Sequence, residues 1–165
     1  ASAEPVETPE GDEPDVAQPA TGSQIVVTDV EVVTGDTFRA TVATPGNDID
    51  GEPITIHSEG VTAPTEGDCG YSEAIEYAES FIARQTVKNL TLIYVDTSLE
   101  DDFGVDWIDA NGEHTGSLMG YSSSAVNEGF ATVSEGAFDN GYQAYQTIAQ
   151  NNGKGLWALC PGFGE

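Results

Sequence analysis

Basic residues are the scarcest feature of this 165-residue chain, which has 4 Lys and Arg against 29 Asp and Glu and a net charge of −25. Proteins bind DNA and RNA through Lys and Arg side chains that displace counterions from the phosphates, and anionic lipid surfaces attract the same residues. The composition therefore argues against nucleic-acid and anionic-membrane partners. It favours a cationic partner, or an acidic surface that serves solubility alone.

Long apolar runs are also missing. No segment approaches the roughly 20 apolar residues that a helix needs to span a bilayer, so we expect no transmembrane segment. No signal peptide is recognisable either. We expect a mature exported chain, in which Ala1-Ser2-Ala3 follows either a removed signal peptide or a lipidated cysteine outside this sequence. The length suits one domain with its own core.

Cysteine occurs only twice, at Cys69 and Cys160. A structural zinc site needs more thiolate or histidine ligands than this chain supplies, and we expect no metal. The pair instead predicts one disulfide that closes a loop of about 90 residues. A disulfide in turn predicts an oxidising compartment, either secreted or in the cell envelope.

The first 23 residues show no pattern of a folded element. Prolines recur at Pro5, Pro9, Pro14 and Pro19, and acidic residues stand between them. Such a segment buries too little apolar surface to offset the entropy of ordering, so residues 1–23 are predicted to be an extended acidic arm or linker. Six acids are expected to face Lys or Arg of a protein partner: Glu4, Glu7, Glu10, Asp12, Glu13 and Asp15.

Hydrophobic periodicity predicts five short strands and three helices in residues 24–165. The strands are expected from Gln24, over Thr37–Val42, around Ile54 and Ile56, over Val87–Val95 and over Phe103–Ile108. The helices are expected over Glu73–Arg84 with Ser72 as N-cap, over Ser122–Glu128, and over Phe138–Asn152. This α+β pattern is typical of a five-stranded OB-type barrel.

Three landmarks follow one another along the chain: Val32–Ala40 around Gly35-Asp36-Thr37, then Cys69-Gly70-Tyr71, then Gly153–Trp157 with Cys160 close behind. Their order and spacing resemble the thermonuclease (staphylococcal nuclease-like) family, in the secreted, disulfide-bearing form common in actinobacteria. The resemblance implies a nuclease-like OB fold over roughly residues 24–160. It also implies phosphodiester hydrolysis with one calcium ion, in which carboxylates hold the metal and two arginines neutralise the transition state.

Most of the catalytic positions implied by this resemblance carry other residues. Asp36 keeps the place of the first metal carboxylate. His57 stands in place of one arginine, Thr62 in place of the second carboxylate, Thr65 in place of the glutamate, and Val105 in place of the other arginine. We therefore expect vestigial positions only, with no catalytic residue, no bound metal and no cofactor.

A shifted alignment could restore one acid, because Glu59 and Glu66 lie close by. It restores no arginine at the site. The chain has four cations in all, namely Arg39, Arg84, Lys88 and Lys154. Asp36 is then expected to remain as a turn residue that shapes the hairpin.

The favoured function is a non-catalytic nuclease-like domain that acts as an exported accessory or binding subunit of a cell-envelope complex with a basic surface. One such setting is the actinobacterial respiratory bcc–aa3 supercomplex. Two alternatives stay open: a calcium-dependent secreted nuclease with a divergent site, and a barrel that binds a small ligand or carbohydrate. The nuclease needs a guanidinium close to Asp36, and the ligand barrel needs an apolar pocket with converging polar groups.

Overall fold

A computed structural model describes residues 22–87, 89–94, 108–109, 111–134 and 141–164. Three sequence expectations lie outside these residues: the acidic arm up to residue 21, Val105, and nearly all of the strand predicted over Phe103–Ile108. Within the described part, none of the helices is long and apolar enough to cross a membrane.

Five strands form a closed barrel in the order β1-β2-β3-β6-β5, which confirms the predicted five-stranded α+β barrel. Neighbouring strands run antiparallel, except for β3 and β6, which are parallel. The remaining two strands, β4 and β7, pair as a small separate sheet. The seven strands are β1 Gln24–Thr34, β2 Thr37–Val42, β3 Pro53–Ser58, β4 Val61–Thr62, β5 Leu90–Ile93, β6 His114–Leu118 and β7 Thr132–Val133.

Closure of the barrel depends on the irregular first strand. The first four residues of β1 pair with β5, while β1 also pairs with β2 along most of its length. The register with β2 shifts between Thr28 and Glu31, where Asp29 has a φ of 55°. A bulge of this kind bends a strand and increases its twist. One 11-residue strand can therefore close the barrel on both sides.

In the described residues, four helices accompany the barrel: α1 Tyr71–Ala83, α2 Tyr121–Asn127, α3 Tyr142–Asn151 and α4 Leu156–Leu159. Three were predicted, and α4, which has only four residues, was missed. Ser72 is not the N-cap of α1, because the helix begins after Gly70, whose φ is 92° and which makes no side-chain cap. A serine cap at that position is excluded by space, since a Cβ on Gly70 would lie 2.6 Å from Leu156 Cδ1.

The barrel strand β6 was not predicted from its sequence. Its residues, His114–Leu118, alternate apolar and polar side chains only weakly and include a glycine. The glycine is there because the backbones come close: a Cβ on Gly116 would lie 2.6 Å from the carbonyl oxygen of Ile93 on β5. Close backbone approach thus explains why a glycine stands inside this strand.

The core lies inside the barrel and under α1 and α2. Phe38, Ile56, Leu92 and Leu118 are fully buried there. Tyr121, at the start of α2, packs edge-on against Phe38 with 5.0 Å between ring centroids. Its hydroxyl donates to the carbonyl oxygen of Gly35 at 2.6 Å, and burial raises the pKa of this phenol. The first residue of α2 therefore holds the turn that carries Asp36 by a hydrogen bond.

Candidate functional site

Asp36 lies in the tight turn between β1 and β2, and both of its carboxylate oxygens accept hydrogen bonds from the fold. Oδ1 accepts from the hydroxyls of Thr34 at 2.9 Å and Thr37 at 3.0 Å. Oδ2 accepts from the backbone N–H of Ala63 at 2.8 Å. A carboxylate with three such donors is held as a turn residue and as a link to the segment after β4.

His57, near the end of β3, makes two contacts through its ring nitrogens. Nε2 lies 2.6 Å from Oε1 of Glu113, and Nδ1 lies 3.4 Å from the hydroxyl of Thr37. The side chains of His57 and Glu113 are 42% and 37% exposed, so the pair sits at the rim of the barrel. His57 thus connects the Asp36 turn to the loop before β6. It does not provide the planar fork of donors with which an arginine grips a phosphate.

The two threonines at vestigial positions are engaged in local contacts. The hydroxyl of Thr62 lies 2.7 Å from that of Ser134, across the small β4–β7 sheet. Thr65 donates its hydroxyl to Oδ2 of Asp68 at 2.9 Å and caps the loop before α1. Neither side chain carries charge, and both contacts hold loops in place.

A calcium ion does not fit these positions. Calcium takes six to eight oxygen ligands, and carboxylates supply the charge. Of the four vestigial residues that the structure describes, Asp36 alone is a carboxylate, and its oxygens are engaged with Thr34, Thr37 and Ala63. No group of three His, Cys, Asp or Glu that could hold a metal occurs in the described ranges.

Of the three basic residues that the structure describes, two have contacts with residues other than Asp36. Lys154 pairs with Glu128 at 3.7 Å. Arg84 lies over the ring of Tyr77, 5.9 Å from its centroid. Arg39 is exposed on β2 and is registered opposite Glu31 of β1. No described arginine or lysine forms an ion pair with Asp36.

The three landmarks of the thermonuclease resemblance pack against one another. A Cβ on Gly35, in the first, would lie 2.7 Å from the Cβ atoms of both Ala63 and Ala74. Ala74 belongs to the helix that the second landmark opens. Gly70, in the second landmark, packs on Leu156 of the third. The described residues of these landmarks are therefore points of close packing.

A disulfide joins Cys69 and Cys160, the pairing that the sequence predicts, with 5.8 Å between the Cα atoms. Cys69 is exposed just before α1, whereas Cys160 is 3% exposed at the end of α4. The crosslink fastens the C-terminal segment to the start of α1, beside the contact between Gly70 and Leu156.

Glu59 is a buried acid whose environment the sequence did not reveal. It follows β3 and is 1% exposed. Its carboxylate accepts a hydrogen bond from the hydroxyl of Tyr142 on α3, and its backbone N–H donates to the carbonyl oxygen of Gly116 at 2.9 Å. Burial raises the pKa of this carboxyl, an effect that the Tyr142 bond partly offsets. A buried group with this bond helps to position α3.

The chain matches no protein-family model, and no curated protein matches it. The resemblance to the thermonuclease family therefore rests on the three landmarks and on the positions between them.

Proposed function

We propose that this chain is a non-catalytic, nuclease-like OB domain that acts as an exported accessory or binding subunit of a cell-envelope complex. The observation that carries the proposal is the engagement of Asp36. The one catalytic-type acid left at the matched positions accepts hydrogen bonds from Thr34, Thr37 and Ala63 of its own fold.

The identity of the retained residues supports the same proposal. Gly35, Gly70 and the disulfide cysteines keep contacts that hold the fold, while the arginine, acid and glutamate positions carry His57, Thr62 and Thr65. A domain that preserves its packing and loses the charges of its reaction is suited to binding rather than hydrolysis.

Charge and covalent structure indicate the kind of partner. A net charge of −25 favours a partner with a basic surface and disfavours nucleic acid. The disulfide is compatible with an extracellular location. A large membrane complex of an actinobacterial envelope, such as the respiratory bcc–aa3 supercomplex, is the setting that we propose, with the acidic arm at residues 1–23 as tether or contact segment.

A nuclease assay tests the catalytic half of the proposal. The purified protein is incubated with single-stranded DNA and millimolar calcium, with Asp36→Ala as the blank. We expect no turnover above that blank, because losing one preorganised charge stabiliser costs about a hundred- to a thousand-fold in rate. Calcium-dependent turnover that Asp36→Ala abolishes would establish the divergent-nuclease alternative instead.

A charge-neutralisation experiment tests the binding half. The six arm acids are changed to Asn or Gln, and the protein is recovered from native membranes with its partners after crosslinking. We expect the arm variant to lose the partner that the wild-type chain retains. High salt should likewise release the partner from the wild-type chain, because salt screens exposed charges. The matched control neutralises three exposed acids on α1, Glu73, Glu76 and Glu79, and should retain the partner. Equal recovery of both variants would contradict a role for the arm.

A further inference from the structure

A cavity of about 410 Å³ opens between the loop before α1 and the C-terminal tail. One wall is Thr62–Pro64 with Asp68, and the opposite wall is the tail from Pro161 to Gly164. The disulfide and Thr132 of β7 complete the lining. Ligand pockets in proteins measure roughly 300–1,000 Å³, so this space suits a small molecule.

The C-terminal wall of the cavity is held by contacts of its own. The ring of Phe163 packs edge-on against Trp157, with 4.7 Å between centroids. Gly164 lies so close to the same indole that a Cβ there would be 2.5 Å from it. Together with the Cys69–Cys160 crosslink, these contacts form the wall before any ligand arrives. A preformed wall reduces the entropic cost of binding.

Polar groups of both kinds line the space. Asp68 uses Oδ2 to accept from the backbone and hydroxyl of Thr65, while its Oδ1 takes no hydrogen bond from the described residues. On the opposite wall, the backbone N–H groups of Gly162 and Gly164 donate to no described residue. The hydroxyl of Thr132 donates to the carbonyl oxygen of Thr62 at 3.4 Å and keeps its lone pairs.

The apolar part of the lining and the absence of cations restrict the ligand further. Pro64, Pro161 and Phe163 offer apolar surface next to these donors and acceptors. Among the lining residues that the structure describes, none is Lys, Arg or His. An anionic group would therefore lie beside the Asp68 carboxylate without a described counter-charge, which is unfavourable.

We propose that this cavity binds a neutral polyol of sugar-ring size. A sugar ring presents apolar C–H faces together with hydroxyls that each donate and accept. Those features match Phe163 and the two prolines, the free N–H groups of the tail, and Asp68 with Thr132. The proposal does not depend on the accessory-subunit function.

Titrations followed by amide NMR test the site on the full oxidised chain. The probes are methyl glucoside, methyl galactoside, methyl mannoside and N-acetylglucosamine, with glucuronate and methylamine as charged controls. We expect at least one neutral sugar to give saturable shifts on the amides of Thr132, Gly162 and Gly164, with millimolar affinity. Glucuronate should leave these amides unshifted, and methylamine, a cation that tests pairing with Asp68, should shift them less than the best neutral sugar at equal concentration.

Two variants separate the cavity from general surface effects. Thr132→Val removes one hydroxyl from the lining and should weaken the bound sugar about tenfold. Thr147→Val, on the exposed side of α3, removes a hydroxyl elsewhere and should leave affinity unchanged. If Thr132→Val fails to fold, Phe163→Ala replaces it, and a loss of at least the same size is expected from the missing apolar wall.

Several results would overturn the proposal. One is the absence of saturable shifts for every neutral sugar up to about 50 mM, a concentration at which even weak pockets fill. Others are shifts that map outside the cavity, equal weakening by Thr132→Val and Thr147→Val, or unchanged affinity in both lining variants. Binding of glucuronate or methylamine as tight as that of any sugar would also assign the space to another ligand class.

Discussion

The backbone N–H of Ala63 donates a 2.8 Å hydrogen bond to Oδ2 of Asp36, 27 residues earlier in the chain. Through this bond, the turn between β1 and β2 holds the segment that follows β4. The same two regions touch through Gly35 and the Cβ of Ala63. A position that the thermonuclease resemblance assigns to metal binding therefore serves here to hold two loops together.

Replacement of Asp36 is expected to cost stability. Asp36→Ala removes the acceptor for Thr34, Thr37 and Ala63, and bonds to a charged group contribute about 1.5–3 kcal/mol each before relaxation. We expect the free energy of unfolding in urea to fall by about 2–4 kcal/mol. Asp48→Ala, at an exposed loop position, should change it by less than about 0.5 kcal/mol. Equal losses would show that Asp36 has no special structural role.

The hydroxyl of Tyr142 is expected to contribute to stability in addition to the burial of its ring. Tyr142→Phe removes the donor to the buried Glu59 carboxylate, and it should lower the free energy of unfolding at neutral pH by about 1–3 kcal/mol. Tyr145→Phe is the matched control on the same helix, because Tyr145 is 42% exposed. Urea melts of both variants measure the difference, and a neutral result for Tyr142→Phe would argue against the bond.

Glu59 should also leave a signature in the pH dependence of stability. Burial raises its pKa above the ordinary value of 4.5, so the folded state binds its proton more tightly than the unfolded state does. The stabilisation is complete below the unfolded pKa and is lost as pH rises through the folded pKa. Glu59→Gln removes this dependence. In urea melts, the free energy of unfolding of Glu59→Gln minus that of wild type should increase from about pH 4 to pH 7. A difference that does not change with pH would contradict a raised pKa of Glu59.

The glycines near the third landmark are expected to resist substitution because two backbones meet there. A Cβ on Gly129 would overlap the carbonyl oxygen of Lys154, and one on Gly155 would lie 2.5 Å from that of Glu128. Gly129→Ala should cost more than about 3 kcal/mol in urea melts. Gly112 has a similar φ of 80° but open space around it. Gly112→Ala should therefore lower the free energy of unfolding only by the strain of a left-handed alanine, about 1–2 kcal/mol. Equal costs would exclude a packing role.

Loss of the disulfide should destabilise the domain substantially. Closing a loop with a sequence separation of 91 contributes up to about 4–5 kcal/mol by restricting the unfolded chain. The double variant Cys69→Ser, Cys160→Ser should therefore have its unfolding midpoint at a lower urea concentration than wild type. Reductant should shift the wild-type protein toward the variant and leave the variant unchanged. A reductant effect of equal size on the variant would mean that the shift has another cause.

Local pattern was enough to predict much of the fold. The strands around Phe38 and Ile56 and the helix over Tyr71–Ala83 alternate apolar residues at the right period, and the structure has them. The weakly patterned helix α2 was also found, because Gly129 marks its end. In each case the information lies within a few neighbouring residues.

Features that depend on distant contacts could not be predicted in this way. Strand β6 pairs with β3 and β5, which are distant in sequence, and the buried Glu59 is bonded by Tyr142, 83 residues further on. At the candidate site, the thermonuclease resemblance predicted which positions differ from a catalytic pattern. It could not predict that His57 contacts the carboxylate of Glu113, or that Asp36 accepts a hydrogen bond from the backbone N–H of Ala63.

The crosslink between Cys69 and Cys160 divides the domain into a covalent ring and an open chain. Of the described elements, strands β5, β6 and β7 and four helices lie within the ring, whereas β1 to β4 precede it. A single proteolytic cut inside the ring leaves one molecule with its fragments still joined. A single cut in the exposed loop between β2 and β3 instead yields two pieces, and only strand pairing and core packing hold the smaller piece in the barrel.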